Sequence, residues 1–314
     1  MPASQREFRV FFGLLLVLFG FINGADAAES SSLMHRINIF AVDGHDPRVK
    51  QSRSGDGAAF APIVGIESPK LTLQADPRFV EGKRRSSATG FLVSPCYALT
   101  NFHVAFGTTG QGNTEDHQSL FFTTDELKYT KITTQAVVWG DFYSTESEDW
   151  VLLKLDTCVG NSIGWLEIDL RRSGELYNKE VAMAGYPGDK PASFLWIQAS
   201  CRLAEFDLVG FENTFFTNCA SIAGSSGSPI FDTENGFPQV LAMNKGELNP
   251  THEIVRSRYE RNKANYAVDI RHIYPKICPI ICPDKERVRN INPALPNELR
   301  QEVSQNPPQM PIKP

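Results

Sequence analysis

The sequence lacks an apolar run long enough to cross a membrane as a helix. Its longest run, residues 10–22, spans 13 residues, whereas a membrane-spanning helix needs about 20. Arg6 and Arg9 precede the run, and small residues at 25–27 follow it, which is the layout of a cleavable secretory signal. We therefore expect residues 1–28 to be a signal peptide and the mature chain to be exported, secreted or periplasmic, without stable membrane insertion. An uncleaved anchor is the alternative.

The sequence also lacks an excess of charge of one sign. Lysine and arginine total 31 against 36 acidic residues, for a formal net charge of -5. Proteins that bind nucleic acid usually concentrate basic residues in a patch or run, and no long basic run is present here. We therefore expect no nucleic-acid partner.

Long helical patterns are scarce, and short strand-sized apolar runs take their place. Runs such as 90–94, 150–155 and 229–232 are separated by turn residues, a pattern that predicts an all-β barrel or sandwich. The one long helix is expected within residues 257–277. Residues 286–314 are rich in proline and poor in large apolar residues, so we expect a disordered tail.

A cluster of glycine and serine, "AGSSGSPIFD" at 223–232, raises the first question of chemistry. Taken alone it is as readily a tight turn as a site. A serine becomes a nucleophile when a base removes its proton and backbone N–H groups stabilise the oxyanion. His103 follows one strand-like run and Asp149 precedes another. Each alone has an ordinary structural explanation, but together with Ser226 they supply a nucleophile, a base and an orienting carboxylate.

Three segments resemble the motifs of trypsin-like serine proteases. They are "TGFLVSPCYALTNFHV" (89–104), "EDWVLLKL" (148–155) and "GSSGSPIF" (224–231), and they occur in the family's order of histidine, aspartate and serine. The resemblance spans roughly residues 40 to 275. It implies an enzyme that hydrolyses polypeptide substrates through an acyl-enzyme intermediate and that needs no cofactor. A catalytically silent or latent protease fold that acts as a binding module is the alternative.

The resemblance implies a role for each matched residue. Ser226 would be the nucleophile, His103 the general base and then acid, and Asp149 the carboxylate that orients the histidine. The backbone N–H groups of Gly224 and Ser226 would form the oxyanion hole.

The implied fold is all-β, with two packed six-stranded antiparallel β-barrels and a C-terminal helix. The protease domain would cover residues 29–285, with the first barrel at about 55–165 and the second at about 175–275. The tail would follow at 286–314.

Two features resemble the bacterial branch that includes glutamyl endopeptidases of the V8 type. One is "DGHDPRVK" (43–50), and the other is Ser228, which gives that branch's S-G-S-P form. Ser225 stands where animal digestive members carry an aspartate that pairs with a newly formed amino terminus. Because serine cannot form that ion pair, we expect no activation switch of the trypsinogen type.

The predicted substrate pocket is less specific. The resemblance places Ala220 near its base, which disfavours cleavage after arginine or lysine because those side chains need a buried acid. Asn244 stands where glutamyl enzymes have a histidine, so acidic specificity is also disfavoured, although Ser221 or Lys245 could receive a carboxylate. We expect a preference for a small or medium uncharged side chain.

The six cysteines are an even count in a chain predicted to be exported, which favours disulfides, although they allow 15 connectivities. Cys201 could pair with Cys219 across a hairpin, and Cys96 with Cys158 near the predicted site. Cys278 and Cys282 form either a tight local bridge or none. Structural zinc needs four ligands, and the sequence offers no convincing set, so we expect no metal.

Overall fold

The structure is a computed structural model, and it describes residues 37–40, 45–51, 55–67, 87–107, 118–123, 129–234, 237–248, 254–257 and 260–291. The predicted signal peptide lies outside the described residues. The strands are β1 (Ile37–Phe40), β2 (Val49–Gln51), β3 (Ile63–Glu67), β4 (Ser87–Ser94), β5 (Tyr97–Thr100), β6 (Gln118–Thr123), β7 (Tyr129–Trp139), β8 (Val151–Leu155), β9 (Glu167–Ile168), β10 (Glu180–Gly185), β11 (Leu195–Leu208), β12 (Phe211–Thr217), β13 (Pro229–Asp232), β14 (Gln239–Glu247), β15 (Ile254–Ser257) and β16 (Asn265–Asp269). The α-helices are α1 (Phe102–Phe106), α2 (Gly160–Ile163), α3 (Ser173–Leu176) and α4 (Ile270–Ile291), and 3-10 helices cover Gly55–Phe60, Glu146–Glu148 and Arg261–Lys263.

The first barrel is closed, with strand order β3-β4-β5-β8-β7-β6 and antiparallel pairing throughout. Its interior is filled by aliphatic side chains such as Val64, Leu92, Val151 and Leu153, all without exposed surface. Burying such side chains drives closure of the barrel, since each contributes about 1.5–3 kcal/mol relative to exposure.

The second barrel forms within an eight-stranded sheet. Six of its strands, β10, β13, β14, β16, β12 and β11, pair in a ring that β10–β11 closes. Leu203, Phe215, Ile230 and Leu241 fill its interior. The two remaining strands join from outside the ring: β2 pairs with β11, and β9 pairs in parallel with β14. The prediction of an all-β double barrel with a C-terminal helix is thus confirmed.

A third apolar cluster lies where the barrels and helix α4 meet. Phe91 and Trp150 of the first barrel pack in one cluster with Phe231 and Met243 of the second. The helix adds a stripe of buried isoleucines to this cluster, namely Ile270, Ile273, Ile277 and Ile281. Their spacing of three and four residues places them on one helix face. The two barrels therefore share a packed apolar interface.

The predicted position of the long helix was wrong in part. Residues 257–269 instead contain the end of β15, a 3-10 turn and strand β16, while the helix begins at Ile270. Strand β16 is inserted between β14 and β12, so pairing on both edges decides its conformation. The charged residues that precede β16 gave no indication in the sequence that a strand follows them.

The helix also extends further than the sequence pattern suggested. It continues to Ile291 through Pro275, Pro279 and Pro283, past the predicted start of the tail at 286. Proline usually disfavours a helix interior because it removes an N–H donor and crowds the preceding turn. Here the isoleucine stripe is buried in spite of the prolines, and that burial favours the helix.

Candidate active site

His103 lies on the short helix α1, directly after strand β5 of the first barrel. Its helix neighbours Phe102, Val104, Ala105 and Phe106 are buried, which fixes the helix against the barrel. The imidazole is the exception and keeps 19% of its surface exposed. The apolar neighbours thus position a polar side chain at the barrel edge.

Asp149 lies between the 3-10 helix Glu146–Glu148 and strand β8, and it is fully buried. Its Oδ2 is 2.6 Å from His103 Nδ1, and its Oδ1 accepts the His103 backbone N–H at 2.9 Å. Asn101 Nδ2 donates to the Asp149 carbonyl at 2.9 Å. Burial alone would raise the pKa of this carboxyl, but the charge and hydrogen bonds of His103, with Lys245 nearby, hold it below its ordinary value.

Ser226 lies in a tight turn of the second barrel that we call the serine turn, residues 223–228. Its Oγ is 3.0 Å from His103 Nε2. Gly224 and Gly227 have φ values of 93° and 81°, the left-handed region that glycine adopts without strain. A Cβ on Gly227 would also come within 2.0 Å of the Thr89 carbonyl oxygen. Only glycine therefore fits at position 227.

Thr89 of strand β4 joins the serine turn to the first barrel. Its N–H donates to the Ser226 carbonyl at 2.9 Å, and its hydroxyl donates to the Gly224 carbonyl at 2.9 Å. The hydroxyl also accepts the Tyr186 N–H at 2.9 Å. From the second barrel, the Asn244 carbonyl accepts the Gly227 N–H at 2.9 Å. Backbone hydrogen bonds from both barrels thus fix the turn.

The N–H groups of Gly224 and Ser226 were predicted to form an oxyanion hole. Across the described ranges, neither group donates a hydrogen bond to another protein group. They are therefore available to an external acceptor next to Ser226 Oγ. At the first residue of the serine turn, the Ala223 carbonyl accepts a hydrogen bond from the Gly188 N–H at 2.7 Å.

The three predicted pocket residues, Ala220, Ser221 and Asn244, are all buried. The Asn244 amide donates to Ser221 Oγ and to the Ser225 carbonyl, both at 3.0 Å, so it supports the serine turn from within. Ser225 is also buried, and its Oγ accepts the Ile222 N–H at 3.2 Å. A local hydrogen bond thus closes the turn at this position.

Sequence reasoning missed the charged partners around Asp149. Lys245 of β14 donates to the Glu146 carbonyl at 3.1 Å, pairs with the Glu146 carboxylate, and lies 3.8 Å from Asp149 Oδ2. Glu148 Oε1 faces the helix α4, where His272 Nε2 is 2.8 Å away and Lys276 Nζ donates to the same oxygen. The hydrogen-bonded pairs among them are 99, 124 and 128 positions apart in the sequence, and no motif marks them.

The cysteines pair as Cys96–Cys158, Cys201–Cys219 and Cys278–Cys282. The first disulfide joins the β4–β5 turn to the segment after β8, and the second joins β11 to the end of β12. The third links two residues of helix α4.

Within the described residues, no cluster of three or more histidine, cysteine, aspartate or glutamate side chains could hold a metal ion. In the same part of the chain, no helix is both long and apolar enough to span a membrane.

Comparison with known proteins finds similarity to peptidases. Residues 88–242 match the family model of the trypsin-like peptidase domain. The matched span contains His103, Asp149 and Ser226 and ends before Lys245. A search of curated proteins finds no match.

Two solved structures are similar to the chain. A Glu endopeptidase in complex with MPD is 20% identical with a TM-score of 0.57, over 75% of this chain and 96% of that chain. The inactive form of the Rv3671c protease is 19% identical with a TM-score of 0.45, over 73% of this chain and 93% of that one. The likeness to the Glu endopeptidase structure shows the double-barrel fold. Together with the family match, it shows that the chain contains a trypsin-like peptidase domain, matched over residues 88–242, with the chymotrypsin fold.

Proposed function

We propose that the chain is a secreted serine endopeptidase that hydrolyses peptide bonds through an acyl-enzyme intermediate, with His103, Asp149 and Ser226 as its catalytic triad. The observation that carries the proposal is one continuous line of contacts. Asp149 Oδ2 lies 2.6 Å from His103 Nδ1, and His103 Nε2 lies 3.0 Å from Ser226 Oγ. This arrangement fits nucleophile, base and orienting carboxylate.

The proton transfers follow from these contacts. With Asp149 accepting at Nδ1, the neutral imidazole carries its proton on Nδ1 and leaves Nε2 free to accept one. His103 takes the Ser226 proton as Oγ attacks the scissile carbonyl carbon, and the buried carboxylate stabilises the imidazolium. The imidazolium then protonates the leaving amine, and water attacks the acyl-enzyme by the same route in reverse.

The oxyanion of each tetrahedral intermediate needs preorganised donors. The N–H groups of Gly224 and Ser226 are the donors we propose, because both belong to the serine turn and neither donates to another group of the described protein. Removing one such donor in related chemistry costs about 10²–10³ in rate, so we expect the conformation of this turn to contribute strongly to catalysis.

Secretion is supported by the cysteine chemistry. All six cysteines are paired, and disulfides persist in oxidising compartments rather than in the cytosol. The signal-like residues 1–28 agree with this destination. We therefore propose an extracellular or periplasmic enzyme with a protein substrate, no cofactor, and a Pro-rich tail after the helix.

For specificity, we propose a small or medium uncharged side chain next to the cleaved bond. Ala220 supplies no carboxylate for a basic substrate residue. Asn244 is engaged with Ser221 and Ser225, and the Lys245 ammonium is engaged with acidic groups of the protein. A glutamyl preference therefore finds little support in these residues, although the fold is that of a Glu endopeptidase.

Covalent labelling tests the proposal. The mature protein and its Ser226→Ala variant are incubated with a fluorophosphonate probe, which reacts with activated serines, and the adduct is located by peptide mass spectrometry. We expect a stoichiometric adduct on Ser226 that the alanine variant lacks. No adduct in a folded, disulfide-intact sample would contradict the proposal and favour a latent fold that acts by binding.

A further inference from the structure

Three carboxylates lie within four residues in a stretch that we call the acidic segment, residues 146–149. Asp149 is its last residue and is fully buried, and Glu146 and Glu148 precede it. Like charges at this spacing repel one another, and burial strengthens the repulsion. The segment therefore needs positive partners from elsewhere in the chain to keep Asp149 ionised and in place.

Lys245 is the partner that reaches Asp149 itself. Its Nζ lies 3.8 Å from Asp149 Oδ2, donates to the Glu146 carbonyl at 3.1 Å and pairs with the Glu146 carboxylate. The side chain is only 10% exposed. The centroids of the Phe142 and Tyr266 rings lie 5.7 and 5.8 Å from Nζ. Limited access to water strengthens each of these charge interactions.

The backbone at Lys245 contacts the serine turn. Its carbonyl oxygen is 3.4 Å from Ser226 Oγ, and the preceding carbonyl, that of Asn244, accepts the Gly227 N–H. One residue of β14 thus contacts Ser226 through its backbone and Asp149 through its side chain. Asp149 belongs to the first barrel, whereas Lys245 and Ser226 belong to the second.

We infer that Lys245 is a positioning residue for the proposed reaction: its ammonium group neutralises the acidic segment and keeps Asp149 and His103 aligned with Ser226. The inference rests on the proposed function and deepens it. It gives a role to a cation outside the matched family span, and it implies that the two barrels are aligned at the site by charge as well as by apolar packing.

Other charged groups around Lys245 are accounted for. Tyr266 of β16 donates its hydroxyl to Glu146 Oε2 at 3.2 Å. Burial, with Glu146 and Glu247 nearby, raises the pKa of Tyr266, so the phenol stays neutral. Glu148 turns away towards His272 and Lys276 of helix α4. Lys245 is therefore the cation of the described residues that contacts both Glu146 and Asp149.

The sign of the expected pH effect follows from the charges. Protonated His103 and Lys245 repel each other, so a neutral side chain at position 245 favours the protonated imidazole, which cannot accept the serine proton. Reactivity should then be lost at a higher pH than in the wild type. A lysine that only fills space would lower reactivity equally at every pH.

The experiment measures the second-order rate constant for fluorophosphonate inactivation against pH in four proteins: wild type, Lys245→Met, Lys245→Arg and Lys131→Met. Lys131 is the matched control because it pairs with Glu67 at 2.6 Å on the first barrel, outside the site. The probe carries no carboxylate, so loss of substrate-carboxylate recognition cannot alter its rate. We expect Lys245→Met to react about tenfold more slowly at neutral pH, with the acidic limb shifted upward, Lys245→Arg to restore the limb, and Lys131→Met to match the wild type.

Several outcomes would overturn the inference. An unchanged acidic limb in Lys245→Met, with the wild type labelled normally, would reject the positioning role. So would normal labelling of that variant with slower cleavage only of peptides that carry glutamate at the cleaved bond, which would instead assign Lys245 to substrate recognition. Absence of labelling in the wild type contradicts the proposed function itself, so the two failures are distinguishable.

Discussion

The serine turn and the acidic segment face each other across the barrel interface, but different forces hold them. In the serine turn, glycine conformation and backbone hydrogen bonds to Thr89 and Asn244 define the geometry. In the acidic segment, buried carboxylates are held by side-chain cations, with Lys245 on one side and helix α4 on the other. Ser226 is thus positioned by backbone conformation and backbone hydrogen bonds, whereas Asp149 is positioned by charge interactions with side chains.

This difference predicts how each half responds to change. Backbone fit depends on volume and dihedral angles, so it should be sensitive to one added methyl group and insensitive to pH. Charge compensation depends on protonation and on charged partners, so it should be sensitive to pH and tolerant of isosteric replacement by another cation. The variants below separate the two.

The largest expected effect is that of Asp149→Asn. Oδ1 accepts the His103 backbone N–H, so the new amide nitrogen would face Nδ1 and donate to it. The imidazole would then carry its proton on Nε2, the wrong tautomer for accepting the Ser226 proton. We expect the inactivation rate to fall about 10⁴-fold at neutral pH. Circular dichroism and labelling kinetics on the same sample would show whether fold is retained while reactivity is lost.

A large effect on the other half is expected from Gly227→Ala. The new Cβ would meet the Thr89 carbonyl at 2.0 Å, and the residue would retain a positive φ. We expect destabilisation by about 2–5 kcal/mol together with loss of labelling.

Gly210→Ala is the matched control for that variant. Gly210 has a φ of 82°, and its added Cβ would meet no atom within 4 Å. It should cost only about 1–2 kcal/mol and leave labelling intact. Equal unfolding free energies for the two variants, measured in denaturant, would contradict the close-fit account of the serine turn.

The smallest expected effect is that of Glu148→Gln, on the side of the acidic segment that contacts helix α4. Burial would raise the pKa of Glu148, but hydrogen bonds from Lys276, His272 and Trp150 hold it at about 2, against an ordinary 4.5. A lowered pKa means that this carboxylate stabilises the fold above about pH 4.5 and that the contribution is lost as pH falls towards 2.

The glutamine variant should therefore melt a few degrees lower at neutral pH, and its melting temperature should approach that of the wild type in acid. Melting curves between neutral pH and pH 2.5 would check this. A constant difference across the whole range would argue that Glu148 acts by packing rather than by charge.

Those parts of the candidate site that consist of contiguous residues could be predicted from the sequence. The glycines of the serine turn and the strand before His103 are local patterns, and the short apolar runs between turns predicted an all-β fold. The double barrel itself was implied by the resemblance to trypsin-like serine proteases. The helix was misplaced because its three prolines are atypical of a helix interior, and because β16 is a short segment after a charged run whose strand conformation depends on pairing with β14 and β12.

The charge partners of the acidic segment could not be found in this way. Lys245 and Glu146 are 99 residues apart, and Glu148 and His272 are 124 apart. A lone lysine beside a glycine or a histidine on a helix has many ordinary explanations. Only the closing of two barrels and the docking of a helix bring these groups together, so their contacts belong to tertiary structure.

Product analysis with an unfolded protein substrate such as denatured casein tests the proposed endopeptidase activity directly. The wild-type protein and Ser226→Ala are each incubated with it, and new peptide termini are identified by mass spectrometry. We expect cleavage by the wild type, mostly next to small or medium uncharged side chains, and none above background by the variant. Equal cleavage by both proteins, or none by a wild type whose Ser226 is labelled, would contradict the proposed activity.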